Sequence, residues 1–246
     1  MSSPFELILQ SLKDYQKEAS TLIGYAAWLI LPFFVSVAVS FLPITPVVQA
    51  FAILLAVAEL LFVIWITTIL CLCAHAVVFE QKTNIPTISQ QAKQLILPVL
   101  TINLLQLLIF LGGFLLLVLP VFLFAVWFGL AQFMVMFENK RSFDALSASR
   151  DLTKGRFWQS ARLLLIGPLI LLFTFSFLIS LIISIVSAIY SIDPTQLLSG
   201  DTPLWIDGLE TVGELFLFPL VLLYFTRVYR ELREHPLQLE KSPEIA

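Results

Sequence analysis

Apolar residues along this chain gather into stretches long enough to cross a bilayer, and polar residues gather into short segments between them. A spanning helix needs about 20 mostly apolar residues rising about 1.5 Å each. The first stretch runs from about Leu22 to Leu42 and is closed by Pro43 and Pro46. The second begins near Val47 and continues to about Phe79. It is longer than a hydrocarbon core of about 30 Å requires, so the pattern predicts a tilted helix or one whose end projects near Glu80 and Lys82. From Leu95 to Phe137 no charged residue occurs. One helix of that length would be about twice the core thickness, so the chain must turn back inside the run. Gly112, Gly113 and Pro120 are the available breakers, and a turn near Leu119 yields spans three and four. Span five runs from about Leu163 to Tyr190 and span six from about Leu209 to Phe225. Asp193, Pro194, Gly200, Asp201, Pro203 and Asp207 mark the loop that joins them.

The polar segments carry helix signals of their own. Ser3, Pro4 and Glu6 form a capping box with proline at the first helical position. Phe5, Ile8, Leu9, Leu12 and Tyr15 then recur at helical spacing, with Lys13, Asp14, Lys17 and Glu18 on other faces. Thr87 and Gln90 repeat the boxed cap before Ala92, Leu95 and Ile96. Ser142 caps a third segment in which Phe143, Leu146 and the Ala145/Ser149 side face one way and Asp144, Arg150 and Asp151 face elsewhere. Gly155 is placed for a left-handed stop, and Phe157 and Trp158 stand where an aromatic belt anchors the next span. The predicted fold is all-α: a polytopic membrane protein of six transmembrane helices in three hairpins, each preceded by a cytoplasmic amphipathic interfacial helix. The units are residues 1–79, 86–138 and 142–226, and because each crosses twice, repeats among them would be parallel. One domain spans 1–230, followed by a polar tail over 231–246.

Charge fixes the orientation. The 14 Lys and Arg all fall in the segments before span one, between two and three, between four and five, and after six. The opposite loops carry only Asp and Glu. By the positive-inside rule both termini are cytoplasmic. The apolar run is too long and starts too late for a cleaved secretory signal. With 59% hydrophobic and 13% charged residues and a mean hydropathy of +0.95, the chain cannot cover a water-facing surface. This excludes a soluble enzyme, a disordered chain and a nucleic-acid binder. The two cysteines make no disulfide framework.

The stretch from Met136 to Trp158 carries a resemblance. Ala145, Leu146, Ser149, Leu152, Thr153, Lys154, Gly155, Arg156 and Phe157 match an Ala-Leu pair followed by Ser-x-x-Leu-Thr-Lys/Arg-Gly-Arg-Phe. Leu223-Tyr224-Phe225-Thr226-Arg227 matches a closing Leu-Tyr-x-x-Arg. These resemble a bacterial six-span family that includes the membrane domain fused to some glycerophosphodiester phosphodiesterases, together with related uncharacterised inner-membrane proteins. Pro120-Val121 departs from that family's Pro-Gly at span four. The resemblance covers about residues 85–230 and implies a fold and the bacterial inner membrane. The phosphodiesterase activity is not implied, because no such catalytic domain is in the chain.

Candidate chemistry is sparse. Glu59 lies within span two, where a carboxylate costs about 3 kcal/mol on insertion scales. Asn103, Gln106 and Gln132 are its available partners, and the choice is between a proton or cation site and a structural carboxyl. Glu210 and Glu214 share one face near the outer end of span six, and with Glu59, Asp193, Asp201 and Asp207 they form either an acidic vestibule or a solvated rim. Cys71, Cys73 and His75 do not converge on a metal, since Cys73 points about 200° away from Cys71. Ser176, Ser180, Ser184 and Ser187 form a small-residue stripe suited to helix packing. Lys140, Arg141, Arg150, Lys154, Arg156 and Arg162, with Arg227, Arg230 and Arg233, form a basic cluster. Within it Arg150, Lys154, Arg156, Phe157 and Trp158 are the candidate contacts to lipid headgroups or a partner. With two histidines and no nucleophile, zinc or phosphate-loop motif, no enzyme and no cofactor are expected. The sequence therefore favours a non-catalytic membrane module that engages membrane lipids, anionic ones above all, or a protein partner or second copy. A small proton- or cation-coupled transporter or channel using Glu59 is the alternative.

Overall fold

A computed structural model describes residues 2–43, 45–82, 84–116, 118–189 and 204–235, and among these every element is helical. Helix α1 (Pro4–Ala26) passes through a 3-10 turn (Ala27–Leu29) into α2 (Ile30–Ser40); α3 is Pro46–Val78 and α4 Ile85–Leu116. Then come α5 (Val118–Phe128), α6 (Ala131–Glu138), α7 (Ser142–Thr153), α8 (Phe157–Ala161), a π-turn (Arg162–Ile166), α9 (Gly167–Ile189) and α10 (Leu204–Glu234). Six helical stretches are long and apolar enough to span a membrane. The protein is a multi-pass membrane protein.

The Ser3 capping box forms as its spacing predicts, with Ser3 Oγ accepting from the Glu6 N–H and Glu6 accepting from the Ser3 N–H. Gly155 takes the left-handed conformation (φ 78°) that stops the chain after α7. Several expectations change. The leading segment of α1 continues into the first span, marked only by non-helical torsions at Glu18. Its apolar residues also divide: Leu7 and Ile8 turn inward with Ser11 and Asp14, while Phe5, Leu9 and Leu12 are exposed. The second leader is not a separate helix, because α4 starts at Ile85, two residues before the expected Thr87 cap, and runs unbroken past Pro98. Among the described residues only α7 is a leading helix separate from the span that follows it. Ser142 is its first residue, at φ 49°, and caps nothing through its side chain. Helix α10 continues through residue 231 to Glu234.

Span four is broken at Gly129 and Leu130, between α5 and α6. A break inside a membrane frees carbonyls that lipid cannot satisfy. Gln106 Nε2 of α4 donates to the Phe128 carbonyl at 2.6 Å, and Ser149 Oγ of α7 donates to the Trp127 carbonyl at 2.8 Å. Thus α7 is docked on the end of α5 by the break between α5 and α6, with Ala145 and Leu146 also buried.

Packing is concentrated at the end of the bundle that carries the basic loops. In α3 the buried residues begin at Ile64 and continue to Val78, and α2 buries none. Along α9 only Gly167, Leu171, Ile179 and Ser187 are buried. Of the predicted serine stripe, Ser176, Ser180 and Ser184 are exposed. The close approach is made on the face of Phe175 and Ile179, against Gly213 of α10.

Candidate functional site

The basic end is assembled around the last turns of α10. Arg227 donates to Asp14 of α1 and, at 2.9 Å, to Gln10. Arg230 donates at 2.8 Å to the Val78 carbonyl that ends α3, and its guanidinium lies over the Phe79 ring at 5.5 Å. Tyr229 donates at 2.8 Å to Glu138 at the end of α6, and Arg233 donates to the same carboxylate. Lys140 adds a third contact to Glu138 at 3.1 Å. A helix terminus leaves four carbonyls without intrahelical donors. Arg156 supplies two of them, donating to the carbonyls of Leu232 and His235, while its Nε donates to Leu152 at the end of α7 at 2.9 Å.

The residues read as headgroup contacts therefore divide. Arg156 turns inward and is 7% exposed; burial lowers its pKa from the ordinary arginine value. Phe157 is half-buried against the core, edge-on to Trp158 with centroids 5.5 Å apart. Arg150 is exposed but stacks over Trp127, its guanidinium 4.7 Å from the ring centroid. Lys154 is exposed with no partner among the described residues, and Trp158 is 82% exposed.

A cleft of about 590 Å³ opens between these elements. Its floor is Met134, Ala148, Leu152 and Leu232; its charged rim is Lys140, Lys154, Arg156 and Arg233 with Glu138 and Asp151. Glu138 and Arg233 also line a second cleft of about 530 Å³ with His75, Phe79, Gln81, Phe137 and Tyr229. The sequence reading missed Glu138 as the shared wall of both. The signal was there: Glu138 is the charge that ends the uncharged run begun at Leu95.

Glu59 is not brought to its expected partners. Gln132 donates to Asn103, and Gln106 is committed to Phe128. Instead Glu59 lines a groove of about 360 Å³ between the first two spans with Ser36, Ser40, Val39, Ala52, Leu55 and Ala56. Glu210 and Glu214 are exposed on α10, and Asp193 and Asp201 lie outside the described residues. Cys71 and Cys73 are buried free thiols, and His75 is sandwiched between Phe79 and Phe137 at centroid distances of 4.4 and 4.2 Å.

A family model described as a domain of unknown function, DUF7847, matches residues 95–232. No curated protein and no solved structure matches the chain. The family match names no activity and makes no link to glycerophosphodiester phosphodiesterases.

Proposed function

The chain belongs to the DUF7847 family, a domain family of unknown function, and from the geometry we propose that it is a non-catalytic module of the bacterial inner membrane whose basic end faces the cytoplasm and engages anionic lipid. The observation that carries this is the exposure of two aromatics, Phe143 (73%) and Trp158 (82%), the second of them four residues from the exposed Lys154, which has no partner among the described residues. Neither aromatic is needed inside the bundle, and both sit on short helices at the basic end, Phe143 on α7 and Trp158 on α8. Phe5, Leu9 and Leu12 on α1, with exposed Lys13 and Lys17, present a second face of the same kind. Aromatic rings at headgroup depth with cations beside them are the arrangement that an anionic leaflet attracts, at about 1 kcal/mol per cation.

The test reads depth and side together. Cys71 and Cys73 are buried, so a thiol introduced by Trp158→Cys or Lys154→Cys can be labelled selectively. A fluorophore at position 158 in anionic vesicles is expected to be quenched by nitroxide lipids labelled near the glycerol, more than by aqueous quencher. Lys154→Cys is expected to react with an impermeant maleimide in inverted membrane vesicles and not in intact cells. Quenching from water alone, or labelling from outside, overturns the reading.

One observation favours the transport reading: Glu59 faces the Ser36–Ser40 groove with no partner among the described residues. An intramembrane acid without a partner is a default candidate for ion or proton handling. In that case wild-type proteoliposomes conduct protons or a common monovalent cation, and Glu59→Gln abolishes the flux. A wild type that is silent across that panel removes this reading.

A further inference from the structure

The rim of the cleft between α6, α7 and α10 is unbalanced in a specific way. Glu138 is saturated by Lys140, Arg233 and Tyr229. Arg156, although buried, meets no carboxylate among the described residues: its partners there are three backbone carbonyls. Lys154, two residues away and across the left-handed Gly155, has no partner among the described residues either. A cation taken out of water without a counter-charge is costly, and dipoles of carbonyls offset only part of that cost. The three carbonyls also leave Arg156 fixed, with two of its five N–H groups uncommitted. Asp151 is the acid on the rim that remains without a described partner, and it is exposed. Behind this rim the floor is apolar, formed by Met134, Ala148, Leu152 and Leu232.

We propose that this cleft is a binding site for the phosphate of an anionic phospholipid headgroup, held between Lys154 and the preorganised Arg156, with the glycerol end of the lipid on the apolar floor. A guanidinium already locked by backbone bonds loses little freedom on meeting a phosphate, and arginine matches phosphate geometry through paired N–H groups. The lipid source, rather than a free phosphate, follows from the floor and from Trp158, which stands two residues beyond Arg156 and is the most exposed of the basic-end aromatics. The proposal rests on the interfacial reading for the supply of ligand and goes beyond it in naming one pocket and one chemical group.

The experiment is lipid retention by native mass spectrometry of the full chain released from nanodiscs containing phosphatidic acid and phosphatidylcholine. Wild type is expected to retain one phosphatidic acid in preference to phosphatidylcholine. Lys154→Glu reverses a charge on an exposed side chain and is expected to lower that retention roughly tenfold or more, the loss of at least one charge-assisted hydrogen bond. Asp151→Asn is expected to raise it, because it removes the rim's free acid. Ala148→Phe leaves every charge in place and fills the floor, and is expected to abolish retention. Arg156 variants are avoided, since Arg156 also holds the ends of two helices. Unchanged thermal unfolding confirms that each variant is folded. Enrichment of phosphatidic acid that survives both Lys154→Glu and Ala148→Phe overturns the cleft and leaves the interfacial reading standing. Inorganic phosphate that protects wild type from thermal unfolding as well as phosphatidic acid does overturns the lipid assignment. No enrichment of phosphatidic acid in wild type overturns the proposal.

Discussion

Arg227→Ala is expected to destabilise the folded protein by about 3–5 kcal/mol, the usual consequence of removing one partner from a buried ion pair. Asp14 is 6% exposed and buried on the inward face of α1, where Arg227 is its counter-charge. Without the guanidinium the carboxylate is left desolvated and Gln10 loses its donor. The pair holds the leading part of α1 against α10, so the loss is directional. The segment around Lys13 and Lys17 is expected to become open to trypsin before the rest of the chain unfolds, since local opening follows the least supported unit. Asp14→Asn alone leaves Arg227 with Gln10 and is expected to be milder. The double variant Asp14→Asn/Arg227→Gln is expected to cost less than the sum of its singles, because each single strands the other partner. Thermal unfolding in detergent and a trypsin time course measure both effects. Additive singles, or uniform proteolysis along the chain, would falsify the idea that this pair docks α1.

The same pair shows where the sequence was legible and where it was not. Span number and the alternation of charged loops follow from composition over twenty-residue windows, and a bilayer enforces that length scale on any solution. Single-residue signals with a local mechanism also survived: the Ser3–Glu6 box depends on residues three apart, and Gly155 on its own torsion. Asp14 illustrates the opposite case. It sits between Lys13 and Lys17 in what reads as a solvated charge group, and only the docking of α10 makes its side of the helix the interior. The arginines at 227, 230 and 233 satisfy the positive-inside rule whether they face headgroups or neighbours. Orientation statistics therefore could not reveal that they bind α1, α3 and α6. Helix α4 absorbed its leader because nothing between Thr87 and Leu95 interrupts the backbone ladder, and Ala92 and Leu95 already belong to the core. For the site, the motif from Ala145 to Phe157 was visible as a pattern and falls inside the family-matched region. Its division of labour was not, because Lys154 and Arg156 differ only in which side of Gly155 they lie on.

Gly167→Ala is expected to cost a comparable amount, through a contact that begins with a proline. Pro168 has no N–H, so in the i+5 register of the π-turn (Arg162–Ile166) the Leu163 carbonyl has no backbone donor. Left unpaired in a membrane, such a group is costly. Tyr224 of α10 answers it, its hydroxyl donating to Leu163 O at 2.7 Å from a fully buried position. The ring reaches that carbonyl by crossing the place where residue 167 would carry a side chain: a Cβ there overlaps the Tyr224 hydroxyl and ring. Alanine at 167 must therefore expel the tyrosine, which adds the strain of an overpacked core to the lost hydrogen bond. The expected destabilisation is about 2–5 kcal/mol. Tyr224→Phe removes the hydroxyl while keeping the packing and is expected to cost about 1–3 kcal/mol, the penalty of an unanswered buried carbonyl. Gly208→Ala is the matched control. Its Cβ meets nothing within 4 Å, so helix propensity alone acts and stability is expected to hold or rise by up to about 1 kcal/mol. In a Tyr224→Leu background the obstruction is gone, and Gly167→Ala is expected to become nearly neutral, the coupling that identifies the ring as its cause. If Gly167→Ala instead costs as much in that background as in wild type, the damage lies in the π-turn backbone and the glycine is required for the turn rather than for the tyrosine.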